Sequence, residues 1–173
     1  MPRPTLSLSP ITYTTAEHAL GTVLIATSST ALAAIALADT PAQALADLKT
    51  SFPGRRLVPA KTAAAHETHH DAITAHLDAG APLSLPKGLE GTPFQRAVWA
   101  AIAAIPHGET RTYAQLATSM GRPNATRAVA RACATNRLAL VIPCHRVLGA
   151  GGKMTGYRWG VERKRALLNN EQR

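Results

Sequence analysis

Apolar and polar positions change rhythm several times along the chain. Residues 11–15 (ITYTT), 21–27 (GTVLIAT) and 31–37 (ALAAIAL) are short apolar or alternating stretches bounded by turn residues. They predict the strands of a small antiparallel sheet. The uncharged run Ala19 to Ala38 has the length of a membrane span. Gly21, Thr22 and the cluster Thr27-Ser28-Ser29-Thr30 instead divide it into two strands and a turn. The period then becomes helical. Residues 41–52 place Leu45, Leu48 and Phe52 on one side, with Pro41 suited to a first turn and Pro53-Gly54 to a stop. Residues 60–79 form a second helical stretch that Gly80 ends. Pro82 to Gly88 is rich in turn residues, and a boundary there divides the chain into domains 1–88 and 89–173.

The second half is helix after helix. Residues 93–105 align Phe94, Val98, Ala101, Ile102 and Ile105, and Pro106-His107-Gly108 breaks the pattern. Thr112 caps a helix through about 119, Gly121-Arg122-Pro123 turns the chain, and residues 124–135 form the next helix. Helix, tight glycine-containing turn, helix is the helix-turn-helix pattern. The expected fold class is α/β of the α+β kind: a small N-terminal antiparallel sheet with helices, then a mainly helical C-terminal domain with a helix-turn-helix.

Charge sharpens this division. The net charge of +9 is made of −1 over residues 1–90 and +10 over residues 91–173. A near-neutral half joined to a strongly basic one points to a polyanionic partner for the second half. Arg127, Arg131 and Arg137 follow the turn, where exposed arginines suit a helix lying against a DNA groove. The two cysteines, Cys133 and Cys144, form no CxxC pair and no disulfide framework, so a reducing, cytoplasmic setting is expected. Met1-Pro-Arg-Pro does not open a signal peptide.

The densest chemistry is Ile142-Pro143-Cys144-His145-Arg146-Val147, which follows the apolar run Leu138 to Ile142, read as a strand. A thiol attacks only as thiolate, so a nucleophilic cysteine needs a proton acceptor and a positive surround. His145 and Arg146 are adjacent in sequence. From these residues alone a reactive cysteine and a buried structural one stand near even. Cys133, on the Ala-rich face of its helix, reads as core. A second constellation, His66-Glu67-Thr68-His69-His70, fits His-Glu-x-x-His, the zinc-protease pattern. Ile73 and Leu77 continue the His66/His70 face and no third ligand follows at a known spacing, so packing is the expected role and no metal or cofactor is expected.

Pro143-Cys144-His145-Arg146-Val147, preceded by a helix containing Arg127-Ala128-Val129 and followed by Gly156-Tyr157-Arg158-Trp159-Gly160-Val161, resembles the O6-alkylguanine-DNA alkyltransferase family, in particular its bacterial adaptive-response branch. The resemblance is strong over residues 91 to 171 and looser before them. It implies a single-turnover methyltransferase acting on O6-alkylguanine in double-stranded DNA, with O4-alkylthymine as a second substrate, by base flipping and as a monomer. Cys144 matches the alkyl acceptor, His145 the base that draws its proton through water, Glu171 the acid that orients the histidine, and Asn136 the support of the active-site turn. Tyr113 matches the donor to the departing guanine and Arg127 the wedge that fills the vacated stack, with Arg122 and Arg131 beside it on the DNA. Val147, Tyr157, Arg158 and Trp159 match the guanine pocket. Bulk at Arg158-Trp159 predicts a preference for methyl over benzyl adducts. The alternative is a non-catalytic protein that binds alkyl damage, against which the presence of Cys144 argues.

Overall fold

A computed structural model describes residues 9–29, 31–61, 66–86 and 89–172. The first half is a four-stranded sheet covered by helices. Strands β1 (Ile11–His18), β2 (Gly21–Thr27) and β3 (Leu32–Ala38) pair antiparallel, as their alternation predicts. A fourth strand, β4 (Leu57–Pro59), joins the edge parallel to β1, giving the order β3-β2-β1-β4. The sheet is therefore mixed, a departure from the all-antiparallel expectation. Three residues that include a proline carry too little pattern to announce an edge strand. The β1–β2 connection demands Gly21: φ is +98°, and a Cβ there would lie 2.4 Å from the Ala38 carbonyl oxygen.

Helix α1 (Pro41–Ser51) starts with the Thr40 hydroxyl accepting from the Gln43 N–H, and it buries Ala44 and Leu48 on the sheet. Helix α2 (Glu67–Ala79) ends on Gly80 in the left-handed conformation. The helical stretch expected from residue 60 begins later: residues 60 and 61 are not helical, the Ala60 N–H donating to the Tyr13 carbonyl (2.8 Å) beside the β4 edge, and residues 62–65 lie outside the described residues. The expected boundary at residue 88 likewise falls on undescribed residues.

Capping boxes open both α3 (Pro93–Ala103), through Thr92 and Gln95, and α4 (Tyr113–Ser119), through Thr112 and Gln115. A short 3-10 turn, Pro123–Ala125, leads from α4 into α5 (Thr126–Ala134), completing the helix-turn-helix. Val98, Trp99 and Ile102 of α3 pack on Val129, Ala132 and Cys133 of α5, all buried, and the Trp99 indole N–H donates to the Ala132 carbonyl (2.9 Å). Two-residue strands β5 (Arg111–Thr112) and β6 (Val147–Leu148) pair in parallel, and α6 (Val161–Asn170) closes the fold.

The run Leu138 to Ile142 is not a strand. Only Leu138 bridges to the sheet, at Ile35, after which the chain turns with Leu140 at φ +70°. The run satisfies the strand pattern, yet its backbone partners are mostly within the turn itself, Val141 N–H to the Ala139 carbonyl (2.8 Å) and Ile142 N–H to the Leu138 carbonyl (3.0 Å), with Ala139 N–H on the Ile35 carbonyl (3.1 Å) and the Asn136 side chain closing the turn. Asn136 Oδ1 accepts the Leu138 N–H (2.8 Å) and Asn136 Nδ2 donates to the Ile142 carbonyl (2.9 Å). A left-handed leucine costs about 1–2 kcal/mol. Burial of all five residues from Leu138 to Ile142 holds it in place.

Candidate active site

That turn delivers Cys144 into a 3-10 turn, Cys144–Arg146, where the thiol is buried at 5% exposure. Asn136, itself 1% exposed, donates its remaining Nδ2 hydrogen to Cys144 Sγ (3.1 Å). One buried amide thus shapes the loop and touches the sulfur. Hydrogen bonding from Cys133 lowers the Cys144 pKa against the opposing effect of burial, helped by Asn136 and by the positive charge of Lys164. Donation to Cys144, together with burial, raises Cys133. The two thiols therefore divide the roles: Cys133 keeps its proton and Cys144 is the one predisposed to lose it.

His145 is fully buried. Its Nε2 lies 2.6 Å from Glu171 Oε1, and its Nδ1 has no hydrogen-bond partner. A carboxylate on Nε2 selects the tautomer with hydrogen there, which leaves Nδ1 as an acceptor. Burial lowers the His145 pKa, and the Glu171 hydrogen bond and charge oppose that. Glu171, at the end of α6, is 26 residues from His145 and has a side chain only 6% exposed. Arg146 holds it in a two-pronged contact, from Nε to Oε2 (3.0 Å) and from Nη2 to Oε1 (3.0 Å), while Nη1 donates to the Ile105 carbonyl (2.7 Å). The Gly108 N–H also donates to Glu171 Oε2 (3.1 Å). Burial alone would raise Glu171, yet the hydrogen bonds and charges of His145 and Arg146 lower it to about 2.

Other residues named from sequence surround this core. Tyr113, half-buried, starts α4, and burial raises the pKa of its hydroxyl. Tyr157 stands edge-on to His145 (6.5 Å between centroids, 87°) and to Trp159 (5.2 Å, 70°). Val147 is buried in β6, and Trp159 is 4% exposed. The Arg158 guanidinium lies over the Trp159 ring (5.9 Å to its centroid), and its Nη2 donates to Asp47 Oδ1 (2.7 Å) and Ser51 Oγ (2.6 Å) on α1. Arg122, Arg127 and Arg131 are exposed on and before α5.

Three contributors are absent from the sequence reading. Arg146 as the clamp on Glu171 leaves no local signature, because its partner is 25 residues away. The Gly108 N–H is a backbone group. Lys164 was detectable: it occupies the apolar face of α6 with Val161, Leu167 and Leu168, and a cation at such a position needs an explanation. It is fully buried, and its ammonium donates to the Val147 carbonyl (2.6 Å).

The His66/His70 constellation sits apart from all this. His66 precedes α2 and shares a hydrogen bond with Thr27 Oγ1 (2.9 Å); His70 shares one with Thr14 Oγ1 (2.9 Å). Both tie α2 to the sheet. Among the described residues no group of three or more metal-ligating side chains comes together.

A family profile described as "6-O-methylguanine DNA methyltransferase, DNA binding domain" matches residues 93–173. The bifunctional transcriptional activator/DNA repair enzyme Ada of Escherichia coli is 44% identical over 162 residues, which are 93% of this chain and 45% of that protein. A methylated-DNA–protein-cysteine methyltransferase of Mycobacterium tuberculosis is 54% identical over 84 residues, 49% of this chain and 51% of that one. The chain spans about half the length of the curated relatives it matches. Among solved structures, the Mycobacterium tuberculosis O6-methylguanine methyltransferase superposes with a TM-score of 0.73 at 35% identity, covering 94% of this chain and 93% of that one. A structure of the OGT protein of that organism in complex with DNA does so at 0.73 and 34%, covering 93% and 92%.

Proposed function

This chain belongs to the 6-O-methylguanine DNA methyltransferase family, and from that premise we propose that it repairs duplex DNA by moving an alkyl group from guanine O6 onto its own Cys144, once per molecule. One observation carries the reading. A buried thiol with a lowered pKa is followed directly by a histidine whose far nitrogen is locked to a clamped carboxylate, beside a basic helix-turn-helix.

The alkylated oxygen lies inside the base stack, so the nucleotide must leave it. Arg127, exposed at the start of α5, enters the gap. Its planar cation stacks and hydrogen-bonds there, offsetting part of an unstacking cost of a few kcal/mol. Arg122 and Arg131 contact the phosphates, which makes binding salt-sensitive. Val147, Tyr157, Trp159 and the backbone of Arg158 line the pocket that receives the base.

His145 Nδ1 takes the Cys144 proton through a water, and Glu171 steadies the imidazolium that results. The thiolate attacks the alkyl carbon as the carbon–O6 bond breaks. The bonding pair leaves on guanine, and Tyr113 donates to the charge that develops there. The product is a thioether, which nothing in the site reverses. O4-alkylthymine offers the same carbon–oxygen bond to the same sulfur. The protein acts as a monomer in the cytoplasm, without a cofactor.

The test is intact and peptide mass spectrometry after incubation with duplex DNA carrying one O6-methylguanine. The expected result is a gain of one methylene on the Cys144 peptide, saturating at one per protein and absent in Cys144→Ala. Binding without mass gain would overturn the transferase reading in favour of a damage-recognition protein.

A further inference from the structure

The segment that carries Tyr157 and Trp159 is tied to the N-terminal half by two arginines. The Gly160 N–H donates to the Tyr157 carbonyl (3.0 Å), closing residues 157–160 into a tight turn. Arg158, inside the turn, reaches α1. Its Nε and Nη2 meet the two carboxylate oxygens of Asp47 (3.4 and 2.7 Å), and Nη2 also donates to Ser51 Oγ (2.6 Å). The Ser51 hydroxyl gives its own hydrogen to the Asp47 carbonyl (2.8 Å), so this second acceptor is itself fixed. Arg163, in the first turn of α6, holds the other side. Its Nη1 donates to the Trp159 carbonyl (3.0 Å), Nε to the Leu20 carbonyl (2.8 Å) in the β1–β2 connection, and Nη2 to the carboxylate of Asp39 after β3.

We propose that Asp47 is a specificity-determining positioning residue: through Arg158 it holds the Tyr157–Trp159 wall of the guanine pocket against the N-terminal half, and so limits the size of the alkyl group that the pocket accepts. The proposal rests on the alkyltransferase reading, in which Tyr157 and Trp159 line that pocket. Three contacts fix Trp159. Its ring stands edge-on to Tyr157 (5.2 Å), its carbonyl accepts from Arg163, and the Arg158 guanidinium lies over its ring (5.9 Å). The last of these joins the ring to α1. A planar guanidinium suits the task, because its edge forks onto a carboxylate while its face meets an aromatic ring. Without Asp47, the turn keeps the Arg163 grip on a main-chain carbonyl, but the cation over the ring loses its anchor and the ring is free to withdraw. The pair is half-exposed, Arg158 at 23% and Asp47 at 30%, so it adds little to global stability and its effect is local. The N-terminal half, which supplies no atom to the chemistry, thereby takes part in choosing the substrate.

The test compares the full chain with Asp47→Ala, which removes the anchor and favours the helix it sits on, and with Asp47→Glu, which keeps the charge. Thermal melting checks each fold. Single-turnover rates are measured with duplex DNA carrying O6-methylguanine or O6-benzylguanine. Pocket walls that sense size discriminate by about 10–200-fold, so Asp47→Ala is expected to raise the benzyl-to-methyl rate ratio about tenfold, and Asp47→Glu to restore most of the original ratio. A second readout uses no DNA: acrylamide quenching of Trp159 fluorescence in a Trp99→Phe background, where Asp47→Ala should make the indole quench more readily and Asp47→Glu should not. An unchanged rate ratio, an equal rise in both variants, or quenching that does not respond to Asp47→Ala would overturn the proposal. Absence of transfer by the unmodified protein would overturn the alkyltransferase reading and the size limit with it, whereas the quenching result bears on the tether alone.

Discussion

His66 and His70, against the sheet, and His145, in the Cys144 turn, are histidines in contrasting surroundings; His66 and His145 are buried and His70 is half-buried. Burial lowers the pKa of all three. The partners differ. His66 and His70 meet threonine hydroxyls, which hydrogen-bond a neutral ring but carry no charge to balance a cation. His145 meets Glu171, whose negative charge Arg146 and Gly108 hold in place. A neutral partner makes a histidine a strut, and a clamped carboxylate makes it a base that can hold a proton. The bare motif His-Glu-x-x-His looks catalytic, but Ile73 and Leu77, which continue its face, already point to packing.

Substitutions in the two regions should therefore separate rate from stability. The largest effect is expected from His145→Gln, a loss of about 10²–10⁴-fold in single-turnover transfer from duplex O6-methylguanine. His70→Gln, measured the same way on folded protein, should leave the rate unchanged; a comparable loss would erase the distinction. Glu171→Gln keeps the shape but loses the charge, and should cost about 10–100-fold in rate. Its pH–rate profile should also change, because the imidazolium loses its counter-charge.

The reverse pattern is expected for stability. Thr27→Val leaves His66 Nε2 buried without its partner, at a cost of about 1–3 kcal/mol by urea denaturation, with no change in transfer rate per folded molecule. Acid should weaken both regions. Histidines with lowered folded pKa values bind protons less readily than the unfolded chain, so stability should decline as the pH falls below about 6.5. Glu171 adds a second decline at lower pH. Its folded pKa of about 2 lies below the ordinary 4.5, so its contribution is present above 4.5 and lost as the pH falls toward 2. Denaturation curves at stepped pH should show His66→Gln with a shallower slope in the upper window only. The smallest effect is expected from a zinc chelator, which should change neither melting temperature nor transfer; a drop in either would restore the metal reading of His66 and His70.

Much of the fold was legible because its signals are local. The cap at Thr112, the stops at Pro53-Gly54 and Gly80, and the helical period around Val98 and Ile102 each act within a turn or two of chain. A local signal misled. The apolar run Leu138 to Ile142 satisfies the strand pattern, but the chain turns on itself there, Ile142 N–H donating to the Leu138 carbonyl (3.0 Å) and the Asn136 side chain closing the turn. Nothing local to the pair Arg158-Trp159 announces the contacts of Arg158 with Asp47 and Ser51, more than a hundred residues away.

What the sequence determined by itself is the set of elements and the chemical vocabulary: a basic helix-turn-helix, a small sheet, and a cysteine with a histidine beside it. These follow from periodicity, caps and adjacency, which need no knowledge of the rest of the chain. The tertiary structure decided which groups answer one another. It brought Glu171 to His145 across 26 residues, closed Arg146 around that carboxylate, buried Lys164 against the Val147 carbonyl and set the Asn136 amide on the Cys144 sulfur. Reactivity depends on burial and on charges within a few ångströms, and only the folded chain sets those distances.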